Sequence, residues 1–467
     1  MITFGNYGSI GLTIRIIFSQ IGLFGFFWLT CYGIAPESSS PWNGLVFGFL
    51  AIFLTAYIAG QLCSLVRVPP LVGMLIAGIC LSNLTSITLD PLVSSFARNL
   101  ALAVILLRAG VSLDPLALRK LSLVCLRLAF TPCIVEALIL AVGTYLLLHL
   151  PFLWCMVLGF VCVATSPAVI VPSMISIQDE GYGTDKGIPT LIMGGSSVDD
   201  VMAITGFEIF LSLVTSSSSS ILSTLAGPAE AIGGLILGTG LGLLFWILPP
   251  SISNPDDIEN KSFYGRIRFF FLLLTGISFI FTTKVLGCES MGPLGTLSMA
   301  FVAALRWRSE GYIDDITINL RDIWFFAEIF LFSLIGYEVK FSSLQSNTVL
   351  WSLVCLFIGM ISRTIVSFGV VLGAGLTIKE RFFIAMAWLP KGTVQAAIGS
   401  IPLELARAKQ DETQIQYGLT ILTFAVLSII ISAPLGAYLI SFFGPKLLVK
   451  SSNDQQFRID VIECLSI

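Results

Sequence analysis

The sequence predicts an all-α polytopic membrane protein of about fourteen transmembrane helices, built as an inverted repeat with one interrupted span in each half. Three observations carry that reading: the composition, the spacing of the apolar runs, and a pattern shared by the two halves. The 467-residue chain is 56% apolar and only 11% charged, with a mean hydropathy of +0.94. A soluble domain carries about a quarter charged residues. A soluble fold of this size has too little interior to hide so much apolar surface behind a polar exterior, whereas lipid accommodates it.

Runs of about 17–25 apolar residues can cross a ~30 Å hydrocarbon core. Fourteen stand in the chain, at 13–35, 41–66, 69–84, 94–112, 119–148, 152–176, 188–214, 220–249, 264–288, 291–308, 319–340, 346–374, 377–405 and 412–443. The third is short, and Pro69-Pro70 could instead bend one longer element. The first run follows Arg15 but has no small-x-small cleavage pattern, so a retained helix is expected rather than a signal peptide. Basic residues check the count independently. With the N-terminus inside, 17 of the 25 fall to the inner side and five to the outer side (Arg98, Lys284, Lys340, Arg407 and Lys409). That asymmetry obeys the positive-inside rule and places both termini in the cytoplasm.

The net charge of −3 is spread without a basic tract, which argues against nucleic acid as a partner. Ten cysteines are scattered, several within apolar runs, with no CxxC pair, so neither a zinc site nor a disulfide framework is expected. The single histidine, His149, ends a span before a proline-containing turn and reads as interfacial.

The halves share a pattern. Span four ends at Gly110 and span eleven at Gly336, each before a charged turn. A long apolar span follows in both cases, then a span interrupted by proline. Gly110 to Pro167 is 57 residues and Gly336 to Pro390 is 54. The matching spans are seven apart, an odd number, so the copies face opposite ways across the bilayer. Inverted repeats with interrupted helices are a signature of alternating-access transporters.

The polar residues within the spans are few. Span six contains Ala164-Thr165-Ser166-Pro167, with Pro172 five residues further on. Thr165 and Ser166 can offer oxygen ligands at an unwound point, or simply bond back within a Pro-kinked helix; the residues alone leave both open. Span seven carries Asp199-Asp200 about 17 Å into the helix, near the midplane. One carboxylate there costs about 2.5–3.5 kcal/mol on insertion scales, so two adjacent ones point to function. A hard alkali cation prefers oxygen ligands, and a carboxylate withdrawn from water takes either a cation or a proton. The two ions then compete for one site. Adjacent helical residues point about 100° apart, so one acid can face a cavity and the other a neighbouring helix. Glu136 in span five and Arg363 in span twelve occupy equivalent spans and are expected to pair as a core ion pair. Lys391 follows Pro390 at the second interruption, where it suits a counter-charge to half-helix carbonyls. Glu208 and Glu328 read as structural.

At these residues the chain becomes recognisable. TSPAVIVPSM, GYGTDKGIPTLIMGGSSVDDVMAITGF and AWLPKGTVQAAIGS resemble the animal NHA-type sodium/proton exchangers, the solute carrier 9B-like members of the cation:proton antiporter superfamily. The resemblance covers span three to span fourteen. It implies the sodium/proton antiporter fold with two broken, crossing helices, and a homodimer whose mobile core moves against a dimerisation scaffold. Scaffold and core would then divide as 1–118 (N-terminal helices, mainly scaffold), 119–214 (first core half), 215–345 (linker and scaffold), 346–443 (second core half) and 444–467 (short tail). The family's paired aspartates match Asp199 and Asp200, which with Ser166 and Thr165 would bind Na⁺ or Li⁺ as transported ion. Its broken-helix serine matches Ser166, and its acid–arginine pair matches Glu136 and Arg363. Many bacterial members carry lysine where Arg363 stands. No cofactor is expected beyond the transported Na⁺ (or Li⁺) and H⁺.

Three rival readings remain. A sodium-coupled organic-anion symporter shares the repeat but has no need of a midplane Asp-Asp pair. An intramembrane aspartyl protease needs its aspartates on two helices and a GxGD signature that is absent. A channel would need a continuous hydrated pathway.

Overall fold

The computed structural model describes residues 10–41, 44–66, 68–112, 123–215, 221–249, 258–288, 291–343 and 346–450. Arg67, Arg119, Lys120 and Arg458 lie outside these residues, as do the divide expected at 118/119 and most of the tail. Among the described residues the chain is helical throughout: α1 (Ile10–Ile34), α2 (Leu45–Leu65), α3 (Pro70–Leu84), α4 (Pro91–Ser112), α5 (Leu123–Leu148), α6 (Phe152–Val163), α7 (Pro167–Asp179), α8 (Ile188–Thr215), α9 (Ile221–Leu244), α10 (Ile258–Val285), α11 (Met291–Ser309), α12 (Ile313–Tyr337), α13 (Ser346–Val370), α14 (Ile378–Ala387), α15 (Thr393–Ile398), α16 (Ile401–Lys409) and α17 (Glu412–Leu447). Each of the fourteen expected spans falls on one helix or on one interrupted set, α6/α7 or α14/α15/α16. Seven spans are long and apolar enough to cross a membrane by length and composition, α6/α7 counting as one, and shorter apolar helices accompany them. The protein is a multi-pass integral membrane protein.

Local chemistry sets the boundaries. Pro70, Pro167 and Pro402 stand in the first turns of α3, α7 and α16, where a missing amide costs no intrahelical bond. At α14, Thr377 and Glu380 form a capping box: the Glu380 amide donates to Thr377 Oγ1 (3.3 Å) and the Thr377 amide to Glu380 Oε2 (2.7 Å). Asp411 caps α17 by accepting from the amides of Thr413 and Gln414. Pro69-Pro70 does not bend one long element; a turn separates α2 from α3.

Two compact units divide the described residues. One comprises residues up to Ala97 together with Glu328–Ser343. Ile52, Leu81, Ile87, Leu89 and Leu334 form its core. Tyr337 donates to the Ile87 carbonyl (2.7 Å), and Asn83 to that of Val339 (2.8 Å). The other comprises Arg98–Ala327 and the residues from Leu344 onward. It contains an apolar cluster around Leu107, Phe245, Phe269, Met299 and Trp307. A second cluster, around Leu128, Ile170, Ile188, Phe383, Trp388 and Ile440, draws on α5, α7, α8, α14 and α17.

The repeat's two glycines have the same physical task. A Cβ on Gly110 would stand 2.6 Å from the Leu297 carbonyl of α11, and one on Gly336 would strike the Leu75 carbonyl of α3. Each lets a neighbouring backbone approach, as small residues do between helices in lipid. Gly336→Val should therefore lower stability by about 1–3 kcal/mol through overpacking. Thermal unfolding in detergent measures it, and an unchanged melting temperature would remove the close approach from the account.

Candidate ion-binding site

Both interrupted spans are true breaks. Of the two readings of span six, the break is the one found: helical structure stops at Val163, Ala164 to Ser166 are unwound, and Pro167 starts α7. A proline at the first helical position lacks an amide that would be free anyway, so Pro167 marks a restart, not a kink. Pro172 alone lies inside α7. The second break runs through Leu389, Pro390, Lys391 and Gly392 between α14 and α15. The breaks touch, the Ser166 amide donating to the Pro390 carbonyl at 2.8 Å. Helix α17 supports the second break: Ser432 Oγ accepts from the Lys391 amide (2.9 Å), and Gly436 packs against the Pro390 ring.

Helix ends buried at this depth need partners for their free carbonyls, and two cationic side chains supply them. Arg363 on α13 donates through Nε to the Trp388 carbonyl at the end of α14 (2.8 Å) and through Nη1 to the Val163 carbonyl at the end of α6 (2.7 Å). Lys391 sits at the second break, yet its Nζ reaches the Val163 carbonyl of the first at 2.8 Å. Each half-helix C-terminus, carrying partial negative charge, thus meets a full positive one.

The same two cations meet carboxylates. Glu136 Oε2 on α5 accepts from Arg363 Nη1 at 2.6 Å and from Lys391 Nζ at 2.7 Å. Asp199 Oδ2 accepts from Arg363 Nη2 at 2.8 Å and from the Thr165 amide at 2.8 Å. All four side chains are buried. Arg363 is accordingly shared between two acids, and Glu136 between two cations. A simple Glu136–Arg363 pair describes only part of this network.

Asp200 stands apart. It is 4% exposed and makes no ion pair or hydrogen bond among the described residues, and its Oδ1 is buried without a partner. The buried hydroxyls of Thr165 and Ser166 also lack hydrogen-bond partners, as do Asp199 Oδ1 and Glu136 Oε1. Oxygens left unsatisfied in a buried place are costly, and here they belong to α8, α5 and the first break. No group of three or more His, Cys, Asp or Glu able to hold a resident metal occurs among the described residues; an alkali ion here would be cargo.

Some buried polar residues escaped the sequence reading. Arg98, assigned to the outer surface, is buried and pairs with Glu404 at 2.9 Å. Helix α4 begins at Pro91, three residues before the expected border, so Arg98 lies two turns inside it. Lys186, in the loop between α7 and α8, pairs with the buried Glu380 at 2.8 Å. Gln395 on α15 bonds both breaks. The T-x-x-E spacing of Thr377 and Glu380 was a legible capping signal; the partners of Arg98 and Lys186 were not, being distant in sequence.

Among the described residues, seven long apolar spans with shorter apolar helices beside them, two unwound segments in contact and a buried charge network make up the structure. In its fold the chain resembles a solved sodium proton antiporter, MjNhaP1 from Methanocaldococcus jannaschii (TM-score 0.65, 18% identity, 86% of this chain and 97% of that one). The family described as "Sodium/hydrogen exchanger, transmembrane" matches residues 50–441. Relatives called sodium/hydrogen exchanger 9B2 are 39% identical in Xenopus tropicalis (91% of this chain, 79% of the relative) and 39% identical in Homo sapiens (96% and 83%). A sodium/hydrogen exchanger 9B1 of Macaca fascicularis is 37% identical (96% and 87%). The chain belongs to the sodium/hydrogen exchanger family, a family of transporters and not of enzymes.

Proposed function

We propose that the protein exchanges Na⁺ (or Li⁺) for H⁺ by alternating access, with Asp200 as the carboxylate both ions share and Asp199 assisting. A charge ledger carries the reading. Glu136 and Asp199 offset Arg363 and Lys391, two against two, which leaves Asp200 as the acid of this cluster with no ion pair or hydrogen bond among the described residues. A lone buried carboxylate must be neutralised, and a proton or an alkali cation can do so. Because both cannot occupy it, one ion must leave before the other enters, which is the coupling an antiporter requires. The hydroxyls of Thr165 and Ser166 would supply neutral oxygens of the kind a hard cation prefers. Movement of the residues around 119–214 and 346–443 against scaffold helices would expose the site to each side in turn. The family resemblance supports this division and a homodimer, and the basic-residue asymmetry supports cytoplasmic termini.

Competition gives a signed expectation. Protonation removes the cation's ligand, so the apparent KM for Na⁺ should rise as pH falls, about tenfold per unit where the protonated form dominates. Na⁺-driven proton flux in proteoliposomes measures it, and a KM independent of pH would reject a shared carboxylate.

The network also bears on electrical coupling. A second proton per cycle would need a second titrating group. Arg363 holds Asp199, and a guanidinium keeps its proton in proteins; Lys391 is engaged by Glu136 and the Val163 carbonyl. A one-for-one, electroneutral exchange is expected. Initial rates with and without a K⁺/valinomycin clamp should agree; a clear dependence on the imposed potential would bring Asp199 in as a second proton carrier.

A further inference from the structure

One buried side chain at the crossing has no part in the exchange scheme above. Gln395, fully buried, is the third residue of α15. Its Nε2 donates to the Ala164 carbonyl (2.8 Å), 231 residues away, and its Oε1 accepts from the Gly392 amide (2.7 Å). Both partners are backbone groups that broken helices leave free: Ala164 follows the last residue of α6, and Gly392 precedes the first of α15. A glutamine three residues into a helix that bonds back to the N-cap amide is half of a capping box. The other half of its amide is spent on the opposite break.

We propose that Gln395 is a positioning residue for cation binding, an inference that rests on the antiport reading. Through Ala164 it sets the unwound turn whose next two residues, Thr165 and Ser166, carry the unpartnered hydroxyls and the amide that holds Asp199. The contact between the Ser166 amide and the Pro390 carbonyl, and that between Lys391 Nζ and the Val163 carbonyl, survive its removal. Loss of Gln395 therefore leaves the breaks joined and the turn free to relax. The effect falls on affinity for the ion more than on assembly.

The test uses the full-length protein in proteoliposomes, with Na⁺ as the probe. Gln395→Met keeps the length and removes both hydrogen bonds; the KM for Na⁺ should rise about tenfold or more, with maximal rate changed less than about threefold. Gln395→Glu discriminates further. Protonated, the carboxyl reproduces one donor and one acceptor; ionised, it has no donor for the Ala164 carbonyl. Its KM should match the parent at acid pH and climb above it as pH rises, against the parent's own fall. The charged groups at the breaks, Lys391, Glu136 on α5, Asp199 and Asp200 on α8 and Arg363 on α13, shift where the curves part, not whether they do. Parallel KM profiles would overturn the inference, and so would variants that misfold at every pH, since the role would then be structural. If the parent itself exchanges no Na⁺, the antiport reading falls and takes this inference with it. An active parent, an inactive Asp200→Asn and parallel Gln395 profiles would sink the Gln395 assignment alone.

Discussion

Asp200→Asn should yield a folded protein with no Na⁺-dependent proton flux above protein-free liposomes. Asparagine has almost the same shape, and Asp200 holds no hydrogen bond or ion pair among the described residues whose loss would disturb packing. Replacing an unpaired buried acid with a neutral amide should leave thermal stability equal or higher, because the cost of housing a lone charge disappears. What disappears with it is the carboxylate that the proposed exchange requires to bind a proton at one stage and a cation at another. The neighbouring change should behave differently. Asp199→Asn keeps an oxygen to accept from the Thr165 amide, and Arg363 keeps Glu136, so the site retains its geometry and part of its activity. Its cost should appear in stability, because Arg363 then has one acid instead of two. Flux and melting temperature, measured on both variants, separate the roles. Full exchange by Asp200→Asn would end the assignment.

Glu136→Gln should be strongly destabilising. It strips the carboxylate from two buried cations at once, Arg363 at 2.6 Å and Lys391 at 2.7 Å. Removing one partner of a buried pair typically costs about 3–5 kcal/mol because the remaining charge is uncompensated. The pairing of Glu136 with Arg363 expected from their equivalent spans would make Arg363→Gln the compensating second change. The contacts point elsewhere. Arg363 also serves Asp199 and the carbonyls of Val163 and Trp388, so removing it takes a donor from three further groups. Among the described residues Lys391 reaches Glu136 and Val163 with its ammonium. Glu136→Gln with Lys391→Met leaves one acid against one guanidinium and should melt above Glu136→Gln alone. Glu136→Gln with Arg363→Gln should recover less. A double-mutant cycle in detergent measures both couplings; strictly additive losses would mean the side chains do not interact.

The residues legible in advance were those whose chemistry is costly in lipid. Asp199-Asp200, Glu136, Arg363 and Lys391 announced themselves because a charge within an apolar run needs a reason. Helix count followed from run length, and the repeat followed from glycine and proline at matched spacing, with Gly110 and Gly336 now explained as points of close backbone approach. Borders were less secure. Arg98, placed on the outer side near the start of span four, is instead buried in α4 and paired with Glu404, a partner 306 residues away.

Partnership was decided only in three dimensions. Glu136 and Arg363 are 227 residues apart, Lys391 and Glu136 255, and Gln395 and Ala164 231. A sequence states that a charge is buried; it does not state which of several opposite charges reaches it, or whether a cation is shared. Nor could it distinguish a kink from a break at Pro167, because the same proline starts a helix or bends one depending on whether the preceding carbonyls find other donors. Here Arg363, Lys391 and Gln395 provide those donors from distant segments. Composition and spacing determined that the chain is a repeat of membrane helices with acids inside its apolar runs. Tertiary packing decided which acids are paired by their neighbours and which one has no ion pair among the described residues, since burial makes every unpaired charge costly and only folding assigns the pairs.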